Sequence, residues 1–163
     1  MTLGDVWTIG GGLTIQPRTA SASIGLGNTL GGLNITRATF QNLNVSSPTA
    51  AITIGRSDGT GDINFTDGSP LAWTGATTFI TGTGNITFNT SSSTPGTSDI
   101  NVNGSLALTT SGNIRLGGQI QTTANQTLSG DVVLLRDTTL LSTAGAINSP
   151  CLLYTSDAAD EGL

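Results

Sequence analysis

The 163-residue chain contains no lysine and no histidine. Its five basic residues are all arginines, at Arg18, Arg37, Arg56, Arg115 and Arg136. Charged residues make up 9% of the chain, against about 25% in an ordinary soluble domain. A near-neutral chain without lysine lacks the basic stripe that nucleic acid demands. It also lacks a basic amphipathic helix for a membrane surface. Cysteine occurs once, at Cys151, which excludes a disulfide scaffold and a cysteine-based metal site in residues 1–150. No apolar run approaches the roughly 18 residues of a membrane-spanning helix. The opening, MTLGDVWTIGGGLTI, has no basic segment followed by an apolar one, so no secretory leader is read there. Glu and Met are nearly absent too, which removes much of the helix-favouring vocabulary.

What is present is a period-two apolar pattern in short bursts. LTI at 13–15, LNI at 33–35, LNV at 43–45, ITI at 52–54, INF at 63–65, ITF at 86–88, INV at 100–102, LAL at 106–108 and IRL at 114–116 all read apolar, other, apolar. On a strand such a triplet places two apolar groups on one side. Gly, Ser, Thr, Asn and Asp fill the intervals, as turn formers do. No segment shows helical spacing. Low hydrophobicity combined with high net charge marks disorder, but here mean hydropathy is +0.10 and 36% of residues are apolar. An ordered all-β chain is the expectation.

The bursts recur at near-regular intervals. They begin at Leu13, Ile24, Leu33, Leu43, Ile52 and Ile63. Such even spacing of short strands fits a sandwich, a barrel or a β-solenoid. Three features favour the solenoid. Asn103–Gly104 is the one two-residue hairpin signal placed between bursts. The strands are short for a free-standing sandwich. The same tripeptide type repeats, as stacked rungs require. Two or three strands per coil imply roughly 20 residues per coil and about seven coils.

SASIGLG at 21–27, LNIT at 33–36, AAITIGRSDGTGDINF at 50–65 and SGNIRLGGQIQTTANQTLSGDVVLLRDTTLLSTAGAIN at 111–148 carry a family likeness. Over about residues 13–148 the chain resembles the repeat regions of large bacterial filamentous haemagglutinin-like adhesins. The resemblance implies a right-handed parallel β-helix, uncapped at both ends, secreted by a two-partner or autotransporter route to the bacterial cell surface. It implies a structural or adhesive shaft without catalysis. Its partners would be host or neighbouring-cell glycans or proteins, with an outer-membrane transporter during secretion. No cofactor, nucleic acid or membrane span belongs to this reading. No Asn-Pro-Asn-Gly motif of the amino-terminal secretion domain is present, so the chain reads as the interior of a larger exoprotein. A segment of a β-helical carbohydrate-active enzyme and the passive stalk of a cell-surface toxin are the alternatives.

Asp58, Asp62 and Asp67 fall close together, in and just after GRSDGTGD at 55–62. They are the candidate metal ligands, since Ca²⁺ takes six to eight oxygens. The plainer reading is an Asp-Gly turn with Arg56 paired to a neighbouring aspartate. No catalytic or cofactor-binding residue is assigned, because residues 1–150 offer no His, Lys or Glu as a general acid or base. The glycine runs at 10–12, 31–32 and 117–118 are not followed by Lys-Ser/Thr and do not open a helix, so they read as corners rather than phosphate loops. Trp7, Trp73, Phe40, Phe65, Phe79 and Phe88 read as core, with a sugar-binding face as the alternative. Threonine sits singly between apolar residues, not in the paired array of an ice-binding face. The seven Asn-x-Ser/Thr triplets, beginning at Asn34, Asn44, Asn64, Asn85, Asn89, Asn103 and Asn125, follow from composition.

The carboxy terminus changes vocabulary. The single Cys, Tyr and Glu all lie in CLLYTSDAADEGL at 151–163. Back-translated, this stretch resembles the transposon mosaic end and adapter of a sequencing library. Residues 1–149 therefore read as the solenoid segment, and 150–163 as a non-native, disordered tail.

Overall fold

The computed structural model describes residues 7–9, 11–27, 30–45, 51–66, 70–90, 100–150 and 152–153. They form a parallel β-helix with three faces. On the first face β1 (Trp7–Ile9) pairs with β5 (Leu43–Val45), which is followed by β8 (Leu71–Thr74) and β11 (Ile100–Asn103). The last stretches of the long strands β12 (Leu106–Thr122) and β13 (Gln126–Ser142) complete it. The second face stacks β2 (Leu13–Ile15), β6 (Ala51–Gly55), β9 (Ala76–Ile80), the starts of β12 and β13, and β14 (Ile147–Asn148). The third stacks β3 (Ile24–Leu26), β7 (Ile63–Phe65), β10 (Ile86–Asn89), the middles of β12 and β13, and β15 (Leu152–Leu153). β15 falls in the tail expected to be disordered, where Leu152 and Leu153 pair with Val132 and Val133; residues 151 and 154–163 lie outside the described residues. Each ladder thus has six rungs from six successive coils among the described residues, and every pairing is parallel.

Coil length is not uniform. On the first face Ile100 pairs with Ile120, and Ile120 with Leu140. The spacing of these three matches the coil length the sequence indicates. Earlier coils are longer, since Trp7 pairs with Leu43 and Leu71 with Ile100. The first coil carries an excursion of two elements. β4 (Leu33–Ile35) adds a further rung to the third face beside β3, and α1 (Arg37–Asn42) follows it. The helix has no apolar spacing to announce it. It starts where Thr36 Oγ1 accepts the Thr39 N–H at 3.3 Å, an N-cap on a single short turn. Its Phe40 is fully buried.

The apolar bursts point inward as their period demands. On the second face Ile15, Ile54, Phe79, Leu108 and Leu128 form one buried column. Ile24, Ile63, Ile86, Ile114 and Val132 form another on the third face. Like stacks on like, so each side chain is covered above and below. Full burial of one such side chain stabilises by about 1.5–3 kcal/mol. Five aromatic rings, contributed by the first three coils, pack together in the interior. Phe40 lies 5.2 Å from Trp73, Trp73 6.2 Å from Phe79, Phe79 5.1 Å from Phe88 and Phe88 6.3 Å from Phe65. These aromatics are core, not a sugar-binding face.

Two polar residues stand in the remaining inward column of the second face, Leu13, Ile52, Thr77, Leu106, Gln126 and Ile147. Thr77 Oγ1 accepts the Trp73 indole N–H at 2.8 Å and donates to the Gly75 carbonyl at 3.2 Å. Gln126 donates from Nε2 to the Leu141 carbonyl at 2.7 Å and the Ile120 carbonyl at 3.3 Å. Both bind backbone carbonyls, which offsets part of the desolvation cost of a buried polar side chain, although the buried Gln126 Oε1 has no hydrogen-bond partner.

The corners rest on glycine. Between the second and third faces a Cβ on Gly84 would stand 2.2 Å from the Gly61 carbonyl oxygen, and one on Gly112 2.6 Å from that of Gly84. Gly61 is in turn backed by the Ala22 carbonyl at 2.4 Å. Coils can stack at their ladder spacing of about 4.8 Å only if these positions carry no side chain. The motif Gly-Asp/Asn-Ile/Val-x-Phe/Leu, at 61–65, 84–88, 112–116 and 130–134, is the sequence mark of this corner.

Candidate functional site

The corner that carries the glycine column also holds the acidic cluster. β6 ends at Gly55, where φ is +103°, a conformation that favours glycine. The chain then turns through Arg56, Ser57, Asp58 and Gly59, with the Gly59 N–H bonded to the Arg56 carbonyl at 2.9 Å. This is the Asp-Gly turn the sequence indicates. Arg56 and Asp58 form a two-pronged pair, Nε to Oδ1 at 2.6 Å and Nη2 to Oδ2 at 2.7 Å. Such forked geometry is the strong form of the arginine–carboxylate contact. Their mutual hydrogen bond holds the Asp58 carboxyl below the usual carboxylate range and raises the guanidinium. The remaining Nη1 of Arg56 reaches the preceding coil and donates to the carbonyls of Arg18, at 3.0 Å, and Pro17, at 3.3 Å.

Asp62 faces elsewhere. Its Oδ1 accepts the Asn85 backbone N–H at 2.7 Å and the Asn85 side-chain amide at 3.2 Å. Asn85 repeats the contact one coil on, its Oδ1 accepting the Asn113 N–H at 3.2 Å and the side-chain amide at 3.4 Å. Asp62, Asn85 and Asn113 thus form a polar ladder just before the third face. Inside the same corner Thr81 Oγ1 contacts the Gly59 and Gly61 carbonyls, and Thr110 Oγ1 those of Gly82 and Gly84. Each threonine satisfies carbonyls of the coil before it.

Of the three candidate calcium ligands, the structure separates two. Both Asp58 oxygens are taken by Arg56, and Asp62 Oδ1 is taken by two N–H donors. Asp67 lies outside the described residues. No group of three or more His, Cys, Asp or Glu side chains is placed to hold a metal ion among the described residues. The arrangement fastens one coil to the next.

Two more arginines act in the same manner. Arg37 donates from Nη1 to the Pro70 carbonyl, and Arg136 from Nη1 to the Thr90 carbonyl. The Arg136 stem lies over Gly117, where a Cβ would stand 2.6 Å from its Cγ. Residues 135–137 bulge out at this corner, since Leu116 pairs with Leu134 but Gly118 with Thr138. Nothing in the local sequence marks these arginines as clamps, because their acceptors lie far off along the chain. On the second face, the outward threonines Thr14, Thr53 and Thr78 align in one row with Ala107 and Thr127. The row is a single column, one threonine wide.

No helix among the described residues is long and apolar enough to cross a membrane. No protein-family model, curated protein or solved structure matches the chain.

Proposed function

We propose that this chain is a length of shaft in a secreted bacterial surface adhesin, and that its work is mechanical and recognitional. The observation that carries the reading is the register. All three faces keep parallel pairing from coil to coil, through the longer early repeats as well as the shorter later ones, and the columns from Ile15 to Leu128 and from Ile24 to Val132 stack apolar on apolar throughout. Such a ladder resists bending and grows in one direction only. The titratable side chains at its principal corner are committed to holding coils together, which fits a structural part. Two of the outward rows carry neutral polar side chains: Thr14, Thr53, Thr78 and Thr127 on the second face, Asn101 and Gln121 on the first. Rows of hydroxyls and amides suit hydrogen bonding to glycans or proteins on host or neighbouring cells.

The test grafts residues 11–148 between capped coils of a displayed β-helix. The shaft reading expects the particle to lengthen by about 4.8 Å per added coil. It also expects adhesion to glycan-bearing cells that falls when the outward Thr14, Thr53, Thr78 and Thr127 row is changed to lysine. Lengthening without adhesion would leave a passive stalk. Turnover of a polysaccharide by the graft would replace the reading with an enzymatic one.

A further inference from the structure

Asn103–Gly104 is the one Asn-Gly pair in the chain; every other asparagine is followed by a residue with a side chain. That pairing matters chemically. The backbone nitrogen following an asparagine can attack the side-chain carbonyl carbon, and a side chain on the following residue obstructs the approach. The pair closes the corner between β11 and the start of β12, where a Cβ on residue 104 would stand 2.6 Å from the Gly75 carbonyl carbon. Coil stacking therefore demands glycine here, and the demand leaves Asn103 followed by a residue without an obstructing side chain.

We propose that Asn103 is a latent deamidation site, shielded while its coil is stacked and reactive once the coils part. In the reaction the Gly104 nitrogen bonds to Asn103 Cγ and the Cγ–Nδ2 bond breaks. Nδ2 leaves as ammonia, carrying the proton the Gly104 nitrogen gives up. Water then opens the five-membered imide at either carbonyl. One opening yields aspartate; the other yields isoaspartate, whose main chain runs through Cβ and Cγ.

The native geometry opposes the first step from both sides. The Asn103 carbonyl accepts the Gly75 N–H of the preceding coil at 2.9 Å, and the Gly104 carbonyl accepts the Ala124 N–H of the next at 3.1 Å. Bringing the Gly104 nitrogen over Cγ means rotating these peptide groups away from those partners. The Gly104 N–H is itself held by the Val102 carbonyl at 2.9 Å. The side chain is exposed, but Thr123 Oγ1 donates to its Oδ1 at 3.2 Å and holds it toward the next coil. A chain that opens and reacts to isoaspartate gains one carbon in its backbone at this corner. The Gly75–Gly104–Ala124 stack can then no longer close. The site thus turns a transient opening into a permanent one.

The experiment incubates the full chain at mildly alkaline pH, folded in one arm and in urea in the other, and follows Asn103 by peptide mass mapping. The expected result is deamidation slower in the folded arm by about tenfold or more, the protection that a stacked segment confers. Isoaspartate should accumulate in urea and stay out of the fraction that refolds. Asn103→Ser should abolish the mass gain, and Asn103→Asp should refold. Equal rates in the two arms, faster reaction in the folded arm, or no reaction at Asn103 in urea would each overturn the proposal.

Discussion

Single residues in this molecule matter through what lies one coil away. A Cβ on Gly84 would strike the Gly61 carbonyl, while one on Gly11 would meet nothing within 4 Å. Gly84→Ala should therefore lower stability by about 1–3 kcal/mol, the cost of forced overpacking. Gly11→Ala should change it by no more than about 0.5 kcal/mol. Urea denaturation midpoints of the two variants check the contrast. Arg56 and Asp58 supply a pH prediction. Because the folded-state pKa of Asp58 is depressed by its bond to Arg56, the pair contributes stability above the unfolded carboxyl pKa. That contribution is lost as pH falls through the folded value. Asp58→Asn should remove this part of the acid dependence and shift the neutral-pH midpoint slightly downward. Added salt should shrink the difference, since Asp58 is exposed. The pairing of Arg56 with an aspartate was legible from Arg-Ser-Asp-Gly alone. The engagement of Asp62 was not, because its partner Asn85 belongs to the next coil and reaches it only when that coil closes.

Elements here are too short to be stable singly, so each depends on cross-coil packing. The three-residue strand β7 holds because its two inward side chains, Ile63 and Phe65, are buried in the columns. The aromatic cluster is the densest such point, with Phe79 touching the rings of Phe40, Trp73 and Phe88. Phe79→Ala should cost about 3–5 kcal/mol, as expected for a fully buried ring, and should broaden the near-ultraviolet signal of Trp73. Trp73→Phe keeps the packing but removes the indole donor to Thr77, so its cost should be about 0.5–1.5 kcal/mol, the worth of one hydrogen bond. Thermal melts of both variants give the ranking. The period-two bursts made these strands and their inward residues readable in advance. β4 is the LNI burst at 33–35 and was readable as a strand, but α1 was not. So short a helix has no periodicity to detect, and it exists because Phe40 finds the Trp73 and Phe79 rings. The Asn103–Gly104 pair, a hairpin signal by composition, joins two strands of one coil that each pair in parallel with their neighbours.

For the whole molecule the repeat is the unit of stability. Leu106 pairs with Gln126 on the second face, so residues 106–125 are one complete turn. Deleting 106–125 should leave a shorter solenoid with cooperative unfolding and an unchanged β-type circular dichroism per residue. Deleting 106–115 removes half a turn and sets second-face residues against third-face ones. That variant should lose the cooperative transition. The sequence by itself determined that this chain builds short strands with one apolar side, that its corners use small residues, and the length of the later coils but not of the earlier ones. It could do so because side-chain alternation and turn chemistry act between neighbours along the chain. Only the tertiary structure decided which rungs stack, why Gly61, Gly84 and Gly112 cannot carry a Cβ, how Arg37, Arg56 and Arg136 clamp other coils, and where Thr77 and Gln126 enter the core. Each of those depends on a residue brought close by coil closure, at a separation that differs between the earlier and the later coils. No local rule can count across such a variable gap.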